Sequence, residues 1–105
     1  MKTDDILSAF RKDTIMKTHA YNRMRDRNIS IHDVEEAIES DELIEDYPDD
    51  FPLPSGLLLG FTKADVALHI VCSPTKDGLI LITAYLPDED KWKDGFAKRK
   101  NTRIE

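Results

Sequence analysis

Apolar residues recur along this chain with two different periods, and the change from one to the other falls near residue 41. Before it the spacing is helical. Thr3 suits an N-cap for a helix over about 4–12, with Ile6, Leu7 and Phe10 on one face and Asp4 and Asp5 at the positive end. A second helix is predicted over about 18–26, where Ala20 and Met24 point one way. Asn28 suits a left-handed C-cap. Ser30 caps a third helix with Asp33 at the capping-box position, and Ile31, Val34, Ala37 and Ile38 form its buried stripe. Beyond residue 41 the period is that of strands. Residues 42–47 read as a charged edge strand, and Pro48, Pro52 and Pro54 then break the chain into a loop. Three more strands follow over about 56–62, 66–72 and 79–86, joined by hairpin-length connections. Pro87 ends the last, and Asp88 suits the cap of a short helix through Trp92 and Phe96.

The expected architecture is therefore α+β: N-terminal helices packed on a four-stranded antiparallel meander sheet, closed by a short C-terminal helix. With no repeat or Gly/Ser linker, residues 1–105 read as a single domain, with 1–16 an N-terminal helix extension and 91–105 a basic tail.

Composition changes the picture mainly through charge. The hydrophobic fraction of 40% with 34% charged residues suits a globular chain. Residues 1–90 hold 9 Lys/Arg against 19 Asp/Glu, and residues 91–105 hold 6 against 2, so nets of −10 and +4 give the overall −6. An acidic body disfavours generic nucleic-acid binding, while a basic end can hold a phosphate backbone or an acidic partner. No apolar run is long enough to span a membrane, the acidic N-terminus is unlike a signal peptide, and Cys72 is alone; the expected compartment is the cytoplasm.

No phosphate-binding glycine loop, dinucleotide fingerprint or nucleophile elbow is present. His69 and Cys72, three apart on a strand, face opposite ways and make a poor ligand pair, so neither metal nor cofactor is expected. One constellation remains. His19, Arg23 and Arg27 are spaced four apart on the second helix. With the last hairpin centred on Lys76, His69 lies opposite Thr83 and shares a face with Thr83 and Tyr85. Should that face meet the helix, two imidazoles, a tyrosine and guanidinium groups converge. Metal-free RNA cleavage by its own 2′-hydroxyl needs a base, an acid and cations for the phosphorane. Each residue also has a plainer reading: His19 as a solvated helix start, His69 as a half-buried strand residue, the arginines as a solvated face, Tyr85 as core, and Trp92 as an anchor for the tail.

The segments His19-Ala-Tyr-Asn-Arg-Met24, Arg27-Asn-Ile-Ser-Ile-His-Asp-Val34, Ile44-Glu-Asp-Tyr-Pro-Asp-Asp50, Leu68-His69-Ile-Val-Cys72 and Thr83-Ala-Tyr85, with Pro54-Ser55, Leu59-Gly60, Pro87 and Trp92, together resemble a bacterial family known as domain of unknown function 4258. That resemblance implies a distant relation to the RelE/barnase-like ribonuclease fold. It also implies a toxin-like, metal-independent endoribonuclease and a small zinc-finger-type antitoxin of the MqsA kind as partner. On this expectation His19, Arg23, His69, Thr83 and Tyr85 are catalytic, while Arg27, Lys98 and Arg99 with neighbouring tail lysines hold RNA. RelE-like toxins are usually basic, which this body is not. The alternative is a non-catalytic module that binds a basic or extended partner through strand 42–47 and the acidic proline loop.

Overall fold

A computed structural model describes residues 3–99. The elements in order are α1 (Thr3–Lys12), β1 (Thr14–Met16), α2 (Thr18–Asp26), α3 (Ile31–Glu39), β2 (Glu42–Tyr47), β3 (Ser55–Phe61), β4 (Ala67–Thr75), β5 (Gly78–Tyr85), β6 (Trp92–Lys93) and β7 (Lys98–Arg99). The local signals at Asn28 and Ser30 hold, whereas Thr3, expected as a cap, is the first residue of α1 itself. Asn28 takes a left-handed φ of 59°, and the Ile29 N–H reaches back to the Met24 carbonyl at 2.8 Å. Ser30 and Asp33 close a reciprocal capping box, both bonds at 3.0 Å.

The sheet corrects the expectation. It is five-stranded and mixed, in the order β1-β5-β4-β3-β2, rather than four-stranded and antiparallel. The added strand β1 pairs parallel to β5, with Thr14 opposite Leu79 and Met16 opposite Leu81. Three residues are too few to show a period of two, which is why pattern alone misses them. Gly78, at φ 152°, lets the chain pass close: a Cβ there would lie 2.7 Å from the Asp13 carbonyl oxygen, which accepts the Leu79 N–H at 2.9 Å. The expected C-terminal helix is also absent. Asp94, Gly95 and Phe96 all have positive φ (54°, 69° and 73°), a run no right-handed helix accommodates, and the segment turns back as the β6–β7 ribbon.

The helices cover one face of the sheet. Leu58, Leu68, Ile70, Cys72, Leu79, Leu81 and Ala84 pack there against Ile6, Ala9, Met24, Ile29, Val34, Ala37 and Ile38. α3 presses directly on β3, and a Cβ at Gly60 would lie 2.0 Å from the Ala37 carbonyl oxygen. The second face carries its own smaller core, in which Leu57, Leu59, His69 and Trp92 are buried. No helix among the described residues is long and apolar enough to cross a membrane.

Candidate functional site

Two bulges decide which side chains reach the second face. In β2, Leu43 pairs with Leu58 and Glu45 with Leu57, leaving Ile44 as the extra residue. Leu43 therefore joins the helix-side core, while Glu45 and Tyr47 turn to the other side. In β5, Val71 pairs with Thr83 but Cys72 with Leu81, so Ile82 is the extra residue. The register differs from the expected one: His69 lies opposite Tyr85, and Val71 opposite Thr83. The β4–β5 turn is centred between Lys76 and Asp77 rather than on Lys76, a shift that alone would send Thr83 and Tyr85 to the helix side. The bulge at Ile82 brings them back, so His69, Thr83 and Tyr85 do share one face.

His69 is the hub of this face. Its Nε2 lies 2.8 Å from the Phe96 carbonyl oxygen, and its Nδ1 lies 3.4 Å from the Tyr85 hydroxyl. A carbonyl only accepts, so the proton sits on Nε2, and Nδ1 accepts from Tyr85. Trp92 stacks edge-on at 4.3 Å between ring centroids, and the His69 side chain is 0% exposed beneath the ribbon. Burial holds its pKa below the ordinary histidine value, with the Phe96 contact and the charge of Glu45 partly offsetting. His69 is therefore neutral and walled off from solvent.

Arg99 closes the ribbon onto the sheet. Its Nε and Nη2 donate to Glu45 Oε2 and Oε1 at 2.8 and 3.0 Å, and its guanidinium lies 4.7 Å from the Trp92 ring centroid. The Tyr47 hydroxyl donates to the same carboxylate. Burial works to raise the Glu45 pKa, but the hydrogen bonds from Arg99 and Tyr47 outweigh it and hold the carboxyl below its usual range. Tyr47 and Tyr85 are pushed up, chiefly by burial. Among the described residues seven groups have clearly shifted pKa values, and Glu45, Tyr47, His69, Tyr85 and Arg99 make up five of them. Such clustering marks this face as the candidate site.

The basic stripe of α2 runs along its margin. β1 accompanies β5 only as far as Leu81, and α2 follows immediately, covering the edge that β1 leaves open. Arg27 Nη1 donates to Thr83 Oγ1 at 3.1 Å and to the Ala84 carbonyl at 2.9 Å. His19, exposed at the other end of the helix, lines a groove with Ile80 and Ile82. The distances agree: eight helical residues rise about 12 Å, close to the about 13 Å from Ile80 to Ala84 along a strand. Arg23 lies exposed between these two.

The expected residues thus fall into three groups. His69, Thr83 and Tyr85 come together with Arg27 and Arg99 on the second face. His19 and Arg23 stand on its α2 margin, and His19 lines a groove that excludes His69. Lys98 is apart, exposed and paired with Asp94 at 3.8 Å, and Lys100 and Arg103 lie outside the described residues. Sequence alone places Glu45 and Tyr47 on a partner-binding edge strand and acidic loop, not beside His69 and Tyr85. Their i, i+2 spacing was the available signal, but it suited a solvated edge strand equally well.

No curated protein and no solved structure matches the chain. A family match does extend from the end of β1 to the residue after β5, taking in α2, α3 and the four long strands that carry Glu45, His69, Thr83 and Tyr85. Over residues 16–86, about two thirds of its length, the chain matches and belongs to the family described as domain of unknown function (DUF4258).

Proposed function

We propose that the chain is a metal-independent endoribonuclease of toxin type, acting on the second face of the sheet. The observation that carries this reading is the convergence of Glu45, Tyr47, His69, Tyr85 and Arg99 on one face, bordered by the α2 stripe. The acidic body is no obstacle to it, because residues 17–27 hold four Lys/Arg against one Asp and form a local positive ridge. In this reading the 2′-hydroxyl attacks the adjacent phosphorus, its proton passes to a base, and the leaving 5′ oxygen takes a proton from an acid. The products are a 2′,3′-cyclic phosphate and a free 5′-hydroxyl. His19, the exposed imidazole, supplies one proton transfer. Tyr85 supplies the other, with the His69 Nδ1 behind it accepting and orienting its hydroxyl. His69 thus acts through Tyr85 as a positioning residue rather than by touching RNA. Arg23 and Arg27 offset the phosphorane charge, and Thr83, held by Arg27, aligns the phosphate. Lys98 and Arg99 grip flanking phosphates from the ribbon. The relation to RelE/barnase-like nucleases, a bacterial cytoplasmic setting and a small zinc-finger-type antitoxin partner belong to the same proposal.

The test is incubation of the pure protein with labelled RNA in EDTA. His19→Ala and Tyr85→Phe should each slow cleavage by about 10²–10⁴-fold while the fold survives. Undiminished cleavage by both variants, or none by the wild type, would sink the assignment. A second reading has its own support: His69 is sealed, and the acidic proline loop offers a 95% exposed Phe51 beside an edge strand, β2. That arrangement suits a module binding a basic extended segment by strand addition. A β2 edge variant that loses a protein partner, in a chain without RNA cleavage, would favour it.

A further inference from the structure

Beside the His69–Tyr85 pair the second face opens into a groove of about 310 Å³, of which the cleavage reading uses only His19. Its floor is Val71, Ile80 and Ile82, all apolar. Lys17 and His19 stand on one rim, where α2 begins, and the proline loop forms the other with Asp50 and Phe51. Phe51 lines the groove yet is 95% exposed, an extent of aromatic exposure that core packing does not explain. Asp50 is fixed, its Oδ2 accepting from the Ser55 hydroxyl at 2.5 Å.

We propose that this groove takes one unpaired nucleotide of a single-stranded RNA, its base stacked on the Phe51 ring and its phosphate held by Lys17. The inference rests on the ribonuclease reading and names the form of substrate that site accepts. Three features lead to it. An apolar slot with an exposed aromatic at its mouth is the platform on which bases stack whatever their identity. The volume, at the low end for ligand pockets, holds one ring system and not a duplex. The charge is divided: the Lys17 ammonium attracts a phosphate, and the Asp50 carboxylate repels it while accepting from base N–H groups. The phosphate is therefore directed to the α2 rim and the base toward the loop. The position fits as well. Val71, on the groove floor, is two residues from His69 along β4, about 6.7 Å, and shares its face. A nucleotide seated here puts the neighbouring linkage beside Tyr85.

The experiment uses the full chain and a fluorescein-labelled single-stranded RNA hexamer with 2′-O-methyl groups throughout, which cannot be cut by its own hydroxyl. Binding is read by anisotropy at several salt concentrations, and cleavage is followed separately on unmodified RNA. Phe51→Ala should weaken binding about 10-fold or more, and Phe51→Trp should restore it. Lys17→Ala should weaken binding and reduce the salt slope by about 0.7, the loss of one phosphate contact on a single strand. A duplex of the same sequence should bind at least about 10-fold more weakly than the hexamer. Because Phe51 is exposed, its variants keep the fold, which the circular dichroism spectrum verifies. Wild-type cleavage with equal hexamer binding by Phe51→Ala and Lys17→Ala overturns the groove and leaves the ribonuclease reading standing. Binding lost in those variants, from a wild type that cuts nothing, upholds the groove and overturns cleavage. A wild type that neither binds nor cuts overturns both.

Discussion

On its helix side the sheet presents Leu58, Leu68, Ile70, Cys72, Leu79, Leu81 and Ala84, and on its other side Glu45, Tyr47, His69, Thr83 and Tyr85. The first set is held by non-directional burial, so volume and closeness of approach matter most. The second set is held by partners at fixed angles. Arg99 grips Glu45 in a fork, a backbone carbonyl fixes the His69 tautomer, and Arg27 ties Thr83 to the edge of β5. One face is thus held in a way that tolerates chemical variation, and the other in a way that tolerates little change in geometry. Substitutions on the two faces should fail in different ways, which gives the comparison its tests.

The largest expected effect is at the closest approach on the helix side. Gly60→Ala places a methyl group 2.0 Å from the Ala37 carbonyl oxygen, and the obstacle is backbone, not a side chain that can swing away. α3 must lift from β3, at a cost of about 3 kcal/mol or more. Urea unfolding should show the loss. A stable Gly60→Ala protein would mean that the two elements are not in the contact described.

How far each face can be read in the sequence follows from the same difference. The helix side was legible because its signals are local. Ser30 with Asp33, Asn28 at its left-handed turn, and the Val34, Ala37, Ile38 stripe each need only residues within one helical turn. The second face depends on features without a local signal. Two bulges, at Ile44 and Ile82, set which side chains reach it. The left-handed run Asp94–Phe96 folds the ribbon over His69, and a short parallel strand draws α2 onto the edge of β5. The pattern could nominate His69, Thr83 and Tyr85, but it set them on one face through a register that the structure replaces, and only the bulge at Ile82 restores the shared face. It could not show that Trp92 and Phe96 cover the imidazole, because that cover is made by a turn some 25 residues further along the chain.

The second effect is smaller and sharpens the contrast through pH. His69 has its folded pKa below the unfolded value of 6.5, so its contribution to stability is complete above that pH and falls away as pH drops. Glu45 is also depressed, and its contribution, complete above 4.5, falls away on further acidification. Both groups lie under the ribbon, where Arg99, Tyr47 and Tyr85 face them. The ribbon should therefore loosen between about pH 6 and pH 4 before the helix-side core yields. Trp92, the chain's single tryptophan, reports it directly. Its emission should shift to the red over that window while the far-ultraviolet circular dichroism holds, and Arg99→Ala should give the shifted emission already at pH 7. Coincident transitions by the two probes would show that the two faces are one cooperative unit.

The smallest effect concerns a polar group set against the helix-side core. Asp41 has a buried Oδ2 without a hydrogen-bond partner among the described residues, and its charge is felt by the Cys72 thiol in the helix-side core, which burial pushes up to about 12. Burial raises the Asp41 pKa from 3.8 to about 6, its own backbone hydrogen bond opposing. A raised carboxyl stabilises the fold below its unfolded pKa, and that contribution is lost as pH rises through about 6. The sign is opposite to that of Glu45 and His69. The full shift corresponds to about 3 kcal/mol, and partial exposure reduces this to about 1–2 kcal/mol. Asp41→Asn removes the charge at nearly constant shape, so it should stabilise the chain by about that amount at pH 8 and by only about a few tenths of a kcal/mol at pH 4, just above the unfolded pKa of 3.8. Urea midpoints of the two proteins at both pH values decide it. A gain of equal size at both would mean that the asparagine acts through packing or a new hydrogen bond, and that Asp41 carries no buried charge on the helix side.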